Sequence, residues 1–209
     1  MLSSCLARVV SSDVKHNFLI HYLAAAAVML ATPVLFGLAE LDSRMAAQPL
    51  ELMPPLMGLI LLTPLLSPEQ NEGISDTVRS KMTSRQLVAC TRIVCSLLVL
   101  ALFTGALSVY MRYNDCDVTL KMFAGAFAGA AALGALGFFV SAVTDNVIAG
   151  YMVTIMYYIM DLFLKEKLGK FCLMSMSSNI KGSKPVLAVS AAVLIAAALF
   201  FRKMFRNES

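Results

Sequence analysis

Apolar residues fill six blocks of the chain, and polar residues fill the gaps between them. The blocks run Phe18 to Leu38, Leu50 to Leu66, Leu87 to Tyr110, Leu120 to Val143, Val147 to Leu164 and Val186 to Phe201. A helix crosses bilayer hydrocarbon in about 20 such residues. Backbone groups in lipid must be paired within their own segment, which makes each block a helix. No stretch alternates apolar and polar positions with period two, so barrel strands are not indicated. The pattern predicts an all-α polytopic membrane protein with six transmembrane helices, a single transmembrane domain over 1–209. The first block has too long an apolar stretch for a signal peptide, and five more blocks follow it. It is expected to be an uncleaved first span. The second block holds Pro54, Pro55 and Pro64, which predicts a kinked or broken helix.

Composition sharpens this picture. Hydrophobic residues make up 59% of the 209 and charged residues only 14%, where a soluble domain carries about a quarter charged. The mean hydropathy is +0.77. The net charge of +4 comes from bases at the ends of apolar blocks, where they set membrane orientation rather than bind nucleic acid. Five cysteines, Cys5, Cys90, Cys95, Cys116 and Cys172, form no CxxC pair and are expected to be small apolar side chains.

The bases predict an orientation. Arg8 and Lys15, then Arg79, Lys81 and Arg85, then Arg202, Lys203 and Arg206 fall on one side if both termini are cytoplasmic. That places the chain in the cell membrane with the first and third loops outside. Residues 165 to 185 break the rule, because Lys165, Lys167, Lys170, Lys181 and Lys184 would then lie outside. The sequence Phe171-Cys172-Leu173-Met174-Ser175-Met176 within that loop is too short to cross. A re-entrant or interfacial segment dipping into the outer leaflet would account for the anomaly.

Two cytoplasmic elements are amphipathic. Leu2, Leu6, Val9, Val10 and Val14 recur at helical spacing over residues 2–15, which predicts an interfacial helix in the inner headgroup layer. In the second loop, Ser67-Pro68-Glu69-Gln70 begins like a capped helix, and Gly73 allows a break. Ile74, Val78 and Met82 then fall at i, i+4 and i+8, with Asp76, Arg79 and Lys81 on other faces. So short a helix needs a surface to cover its stripe: the span ends of this chain, or a soluble partner. In the fourth block Gly125 and Gly129 form a GxxxG and Gly134 and Gly137 follow, which marks tight helix packing.

Catalytic patterns are absent from the sequence. There is no GxxxxGK[ST], HExxH or GxSxG, and His16 and His21 are poorly spaced for joint metal ligation. An enzyme is not indicated, nor is a cofactor bound by this chain. Ionisable residues inside spans are functional candidates by default. They are His21, Glu51, Arg92 and Asp161, all near predicted span ends. Arg92 is close enough to one end to snorkel. Asp161 has Lys165 four residues on as a helical partner.

The second loop resembles that of the permease subunit of type-2 ABC exporters, the ABC-2 family. The residues carrying the resemblance are Glu69, Glu72 and Gly73, a short helix to Met82, then Thr83-Ser84-Arg85-Gln86-Leu87, with Arg92 where the family often has a lysine. Ile74 follows the glycine where the family often has threonine. The resemblance implies an interfacial N-terminal helix and a cytoplasmic coupling helix that docks on a separate ATPase. The docking residues would be Glu69, Glu72, Gly73, Ile74, Val78, Arg79, Lys81, Met82 and Arg85. It also implies small elements dipping into the outer leaflet between spans five and six. ATP and Mg would bind the partner ATPase, and a second permease chain, identical or related, would complete the membrane part. The cargo would be amphipathic: lipid-like, peptide or drug-like. The competing reading is a six-span scaffold, sensor or immunity protein without transport. An ion-coupled carrier would need inverted repeats and charges paired at mid-membrane, and neither is evident in the sequence.

Overall fold

The computed structural model describes residues 18–39, 41–70, 85–164, 171–176 and 183–206. Among them there is no strand, and six helices carry the fold: α1 (Leu19–Phe36), α2 (Ser43–Leu62), α3 (Arg85–Tyr113), α4 (Leu120–Thr144), α5 (Val147–Phe163) and α6 (Ser183–Arg206). Five of them, all but α5, are long and apolar enough to cross a membrane. The chain is therefore a helical protein with membrane-spanning character. The 17-residue α5 is apolar but shorter. The interfacial helix expected over residues 2–15 and the coupling helix from Ile74 to Met82 lie outside the described residues. So do Glu72 and Gly73.

Each helix follows its apolar block, with informative differences at the ends. α1 stops at Gly37, which adopts φ 55° and returns its amide to the Pro33 carbonyl. Glycine reaches that left-handed conformation without a steric cost. α4 and α5 are joined by a tight turn. Asp145 takes the left-handed position, and the Asn146 side chain accepts from the Ile148 amide at 2.9 Å, capping α5.

α2 departs most from expectation. It begins at Ser43, well before the apolar block, and runs unbroken through Pro49, Pro54 and Pro55. Proline removes a helix hydrogen bond, but both faces of this stretch are covered by protein, and the Leu52 carbonyl accepts from the Tyr158 hydroxyl at 3.0 Å. Neighbouring groups of this kind are what let membrane helices keep proline. Of the three prolines expected to kink or break the block, Pro64 does so: there the helix tightens to a 3-10 turn over Thr63–Leu66 before the helical turn Ser67–Gln70.

α4 is the axis of the bundle, in contact with α2, α3, α5 and α6. Its apolar window is 67% buried and that of α2 is 78%, against 11% for α1 and 17% for α6. Close approach between α2 and α4 depends on missing side chains. A Cβ on Gly58 would meet the Ala130 carbonyl oxygen, and one on Gly134 would meet the Gly58 carbonyl oxygen. Gly137 leaves room for the Thr63 and Thr154 hydroxyls, and Gly150 for that of Ser141. Thr63 Oγ1 is buried there without a hydrogen-bond partner. The GxxxG expected to mark packing does so unequally. Gly125 lies against Met176 and Lys184, whereas Gly129 has only ordinary contact with Leu173.

Candidate functional site

Glu51 in the middle of α2, Asp161 near the end of α5 and Lys184 at the start of α6 meet around one short segment. That segment is Phe171–Met176. Cys172, Leu173, Met174 and Ser175 are each at most 2% exposed. They pack against Leu59, Leu133, Tyr158 and Leu187 from four helices. Leu173 reaches the level of Gly129, nine residues into α4, which is about 13 Å along a helix axis.

Buried non-helical backbone needs partners in the protein for its polar groups. Side chains supply them. The Leu173 amide donates to Asp161 Oδ1 at 2.9 Å and the Met174 amide to Oδ2 at 3.2 Å. The Met176 amide donates to Glu51 Oε1 at 2.6 Å. On the acceptor side, the Phe171 carbonyl takes the Tyr157 hydroxyl at 2.7 Å and the Cys172 carbonyl takes the Ser183 hydroxyl at 2.7 Å. The Leu173 carbonyl accepts from the Lys184 ammonium. Three donors and three acceptors are thus satisfied by five side chains from α2, α5 and α6.

The charges are matched in the same space. Lys184 Nζ lies 2.8 Å from Glu51 Oε1, with the two side chains 17% and 1% exposed. Asp161 is fully buried and accepts a further hydrogen bond from the Cys172 thiol. Burial, and next the Asp161 carboxylate, push that thiol up to about 11. The sequence paired Asp161 with Lys165. Lys165 lies outside the described residues; α5 ends at Phe163, and the described hydrogen-bond partners of Asp161 lie in the turn. Lys184, one of five lysines that break the orientation rule, is taken up by Glu51. Neither Lys184 nor the polar side chains of the turn's neighbours stood out in the sequence. The available signal was Ser183-Lys184 at the very start of an apolar block, opposite a carboxylate at the start of another.

His21 and Arg92 lie elsewhere, on α1 and α3. Arg92 is 6% exposed and stands over the Phe18 ring at 5.8 Å, a cation–π contact. It is covered by protein. The His21 ring is 6.3 Å from that of Phe18. Cys116 and Cys172 are buried, while Cys90 faces outward. Glu69 belongs to the helical turn Ser67–Gln70 and Arg85 begins α3. The docking residues between them fall outside the described chain.

Geometrically, the site ties three helices together through a buried turn, and its two described carboxylates, Glu51 and Asp161, are both buried. Among the described residues no group of three His, Cys, Asp or Glu is arranged to hold a metal ion. Compared with family models, curated proteins and solved structures, the chain matches none of them.

Proposed function

We propose that the chain is the permease subunit of a type-2 ABC exporter, driven by a separate ATPase that binds ATP and Mg. The observation that carries this reading is the clamped turn between α5 and α6. An element folded into the outer end at this place in the chain is what the resemblance of residues 69–87 implies. The helix order and the short connections at 37–42 and 145–146 support it too. In this reading α5 is the sixth crossing and both termini are cytoplasmic. A second permease chain stands alongside, and the cargo is amphipathic.

The fold offers a mechanical route for such a subunit. From the loop expected to dock on the ATPase, α2 leads back through Glu51 in its middle and is packed on α4. Motion delivered at Ser67–Gln70 is passed through α2 to Glu51, and from there to Lys184 and the turn. Nucleotide drives this cycle only if the two permease states favour different nucleotide states of the ATPase.

The test is affinity purification of the chain in mild detergent. The reading predicts a stoichiometric P-loop ATPase that is lost when Arg79, Lys81 and Arg85 are reversed to glutamate. A chain that purifies alone in several detergents and in nanodiscs, or an ATPase retained by the reversed variant, contradicts it and favours a scaffold.

A further inference from the structure

Two helices long and apolar enough to cross a membrane, α3 and α4, are joined by a short connection. The ends of such helices lie at the level where lipid headgroups meet hydrocarbon chains. Arg112 is the last residue but one of α3, and Thr119 directly precedes α4. Both line an open groove of about 240 Å³ that runs between the two helices.

The groove changes character along its length. Its polar end holds Arg112 and Thr119. Gly105, also in its wall, lies seven residues before Arg112 on α3, which is about 10 Å along a helix axis. Val109 and Leu120 flank the groove, 69% and 80% exposed, and Phe123 approaches Gly105 from α4. Ser108 is the one polar side chain in that lower part, and its hydroxyl already donates to the Thr104 carbonyl at 2.8 Å.

Charge and size together name the occupant. No carboxylate lines the groove, and Arg112 forms no ion pair among the described residues. The Thr119 side chain makes no capping bond to α4. A guanidinium beside a hydroxyl is a donor set that matches phosphate oxygens. A site that encloses a drug-sized ligand takes about 300 Å³ or more, so this smaller, open groove suits part of a longer molecule. That molecule carries phosphate at one end and hydrocarbon below it. Residues 112–121 hold two bases, Arg112 and Lys121, and two acids, Asp115 and Asp117. Phosphate itself is thus the recognised group, and no net charge on the lipid is called for.

We propose that the groove binds one phospholipid, with its phosphodiester on Arg112 and Thr119 and an acyl chain against Gly105 and Phe123. The site needs neither an ATPase nor transport, so its test stands apart from the permease reading.

Native mass spectrometry of delipidated protein in detergent resolves lipids bound one at a time. Titration with phosphatidylethanolamine should fill one site ahead of any others. Arg112→Gln should weaken that site about ten-fold, the size of one charge-assisted hydrogen bond, and Arg112→Lys should recover most of the loss. Diacylglycerol with the same chains lacks the phosphate. It should bind wild type about as weakly as the phospholipid binds Arg112→Gln. Gly105→Leu fills the groove and should also abolish the preferred site. The helix accommodates a side chain there, because a Cβ on Gly105 meets Phe123 at an ordinary 3.7 Å. Equal affinity of wild type and Arg112→Gln, or of phospholipid and diacylglycerol, would reduce the groove to ordinary lipid contact and overturn the proposal. A preferred site untouched by Gly105→Leu would place the lipid elsewhere and overturn it too. If Gly105→Leu fails to fold, the exposed Arg112 still gives variants whose comparison decides alone.

Discussion

Gly58 on α2 faces Ala130 on α4 so closely that a Cβ on Gly58 would collide with the Ala130 carbonyl oxygen. The obstacle is backbone on a central helix and cannot swing aside. Gly58→Ala should therefore force α2 and α4 apart and cost about 1–3 kcal/mol, the usual range for overpacking. Gly129→Ala is the matched control. Its Cβ would meet Leu173 at an ordinary 3.8 Å, and alanine gains up to about 1 kcal/mol in a helix interior. Thermal unfolding in one detergent should rank Gly129→Ala at or above wild type and Gly58→Ala well below.

Asp161 holds two amides of the turn at once. Asp161→Ala strands the Leu173 and Met174 donors, at about 1–3 kcal/mol for each buried group left unpaired. Asp161→Asn keeps one acceptor oxygen and should fall between alanine and wild type. Hydrogen exchange reads this locally. The amides of Leu173, Met174 and Met176 should be protected in wild type, and the first two should exchange much faster in Asp161→Ala. Uniformly fast exchange in wild type would remove the clamp.

Cys172 should be chemically inert. It is buried, and its thiol is pushed up to about 11, so the reactive thiolate stays scarce until the pH approaches that value. Maleimide labelling of folded protein at pH 7 and at pH 9 should leave Cys172 unmodified, with modification appearing on denaturation. Labelling at pH 7 in the folded state would contradict the packing.

The short α5 decides the number of crossings. Its 17 residues extend about 26 Å at 1.5 Å per residue, slightly less than a hydrocarbon core of about 30 Å. With six crossings, a cysteine at Asn146 and a tag after Ser209 are both reached from the cytoplasmic side, and a cysteine at Asp115 from the outside. A tag accessible from outside, with Asn146 still reached from within, would leave five crossings.

Much of the helical order was legible because apolar blocks in lipid admit little but helix. The ends were less so. The Ser43–Gln48 turn of α2 is polar enough to hide from a hydropathy pattern, and of Pro54, Pro55 and Pro64 only the last breaks the helix, a choice that the sequence does not make. Glu51 and Asp161 stood out because buried carboxylates in apolar blocks are costly. Their partners did not, because those partners are backbone amides 12 to 125 residues away and a lysine that registered only as a violation of the orientation rule. Gly58, a lone glycine, gave no pattern, although it makes a closer contact than the conspicuous Gly129. The resemblance that motivates the transport reading sits in the second loop, mostly beyond the described residues.

The central structural claim is that Glu51 and Lys184 act as one unit that binds the turn to α2. A double-mutant cycle with Lys184→Met and Glu51→Gln measures it directly, by unfolding free energy in detergent. Lys184→Met alone leaves Glu51 buried without its counter-ion and should cost about 3–5 kcal/mol. In the Glu51→Gln background the same change should cost markedly less, giving a coupling energy of about 2 kcal/mol or more, within the range for directly interacting residues. Costs that simply add, to within about 0.5 kcal/mol, would show that the pair does not hold the turn and would withdraw the observation on which the permease reading stands.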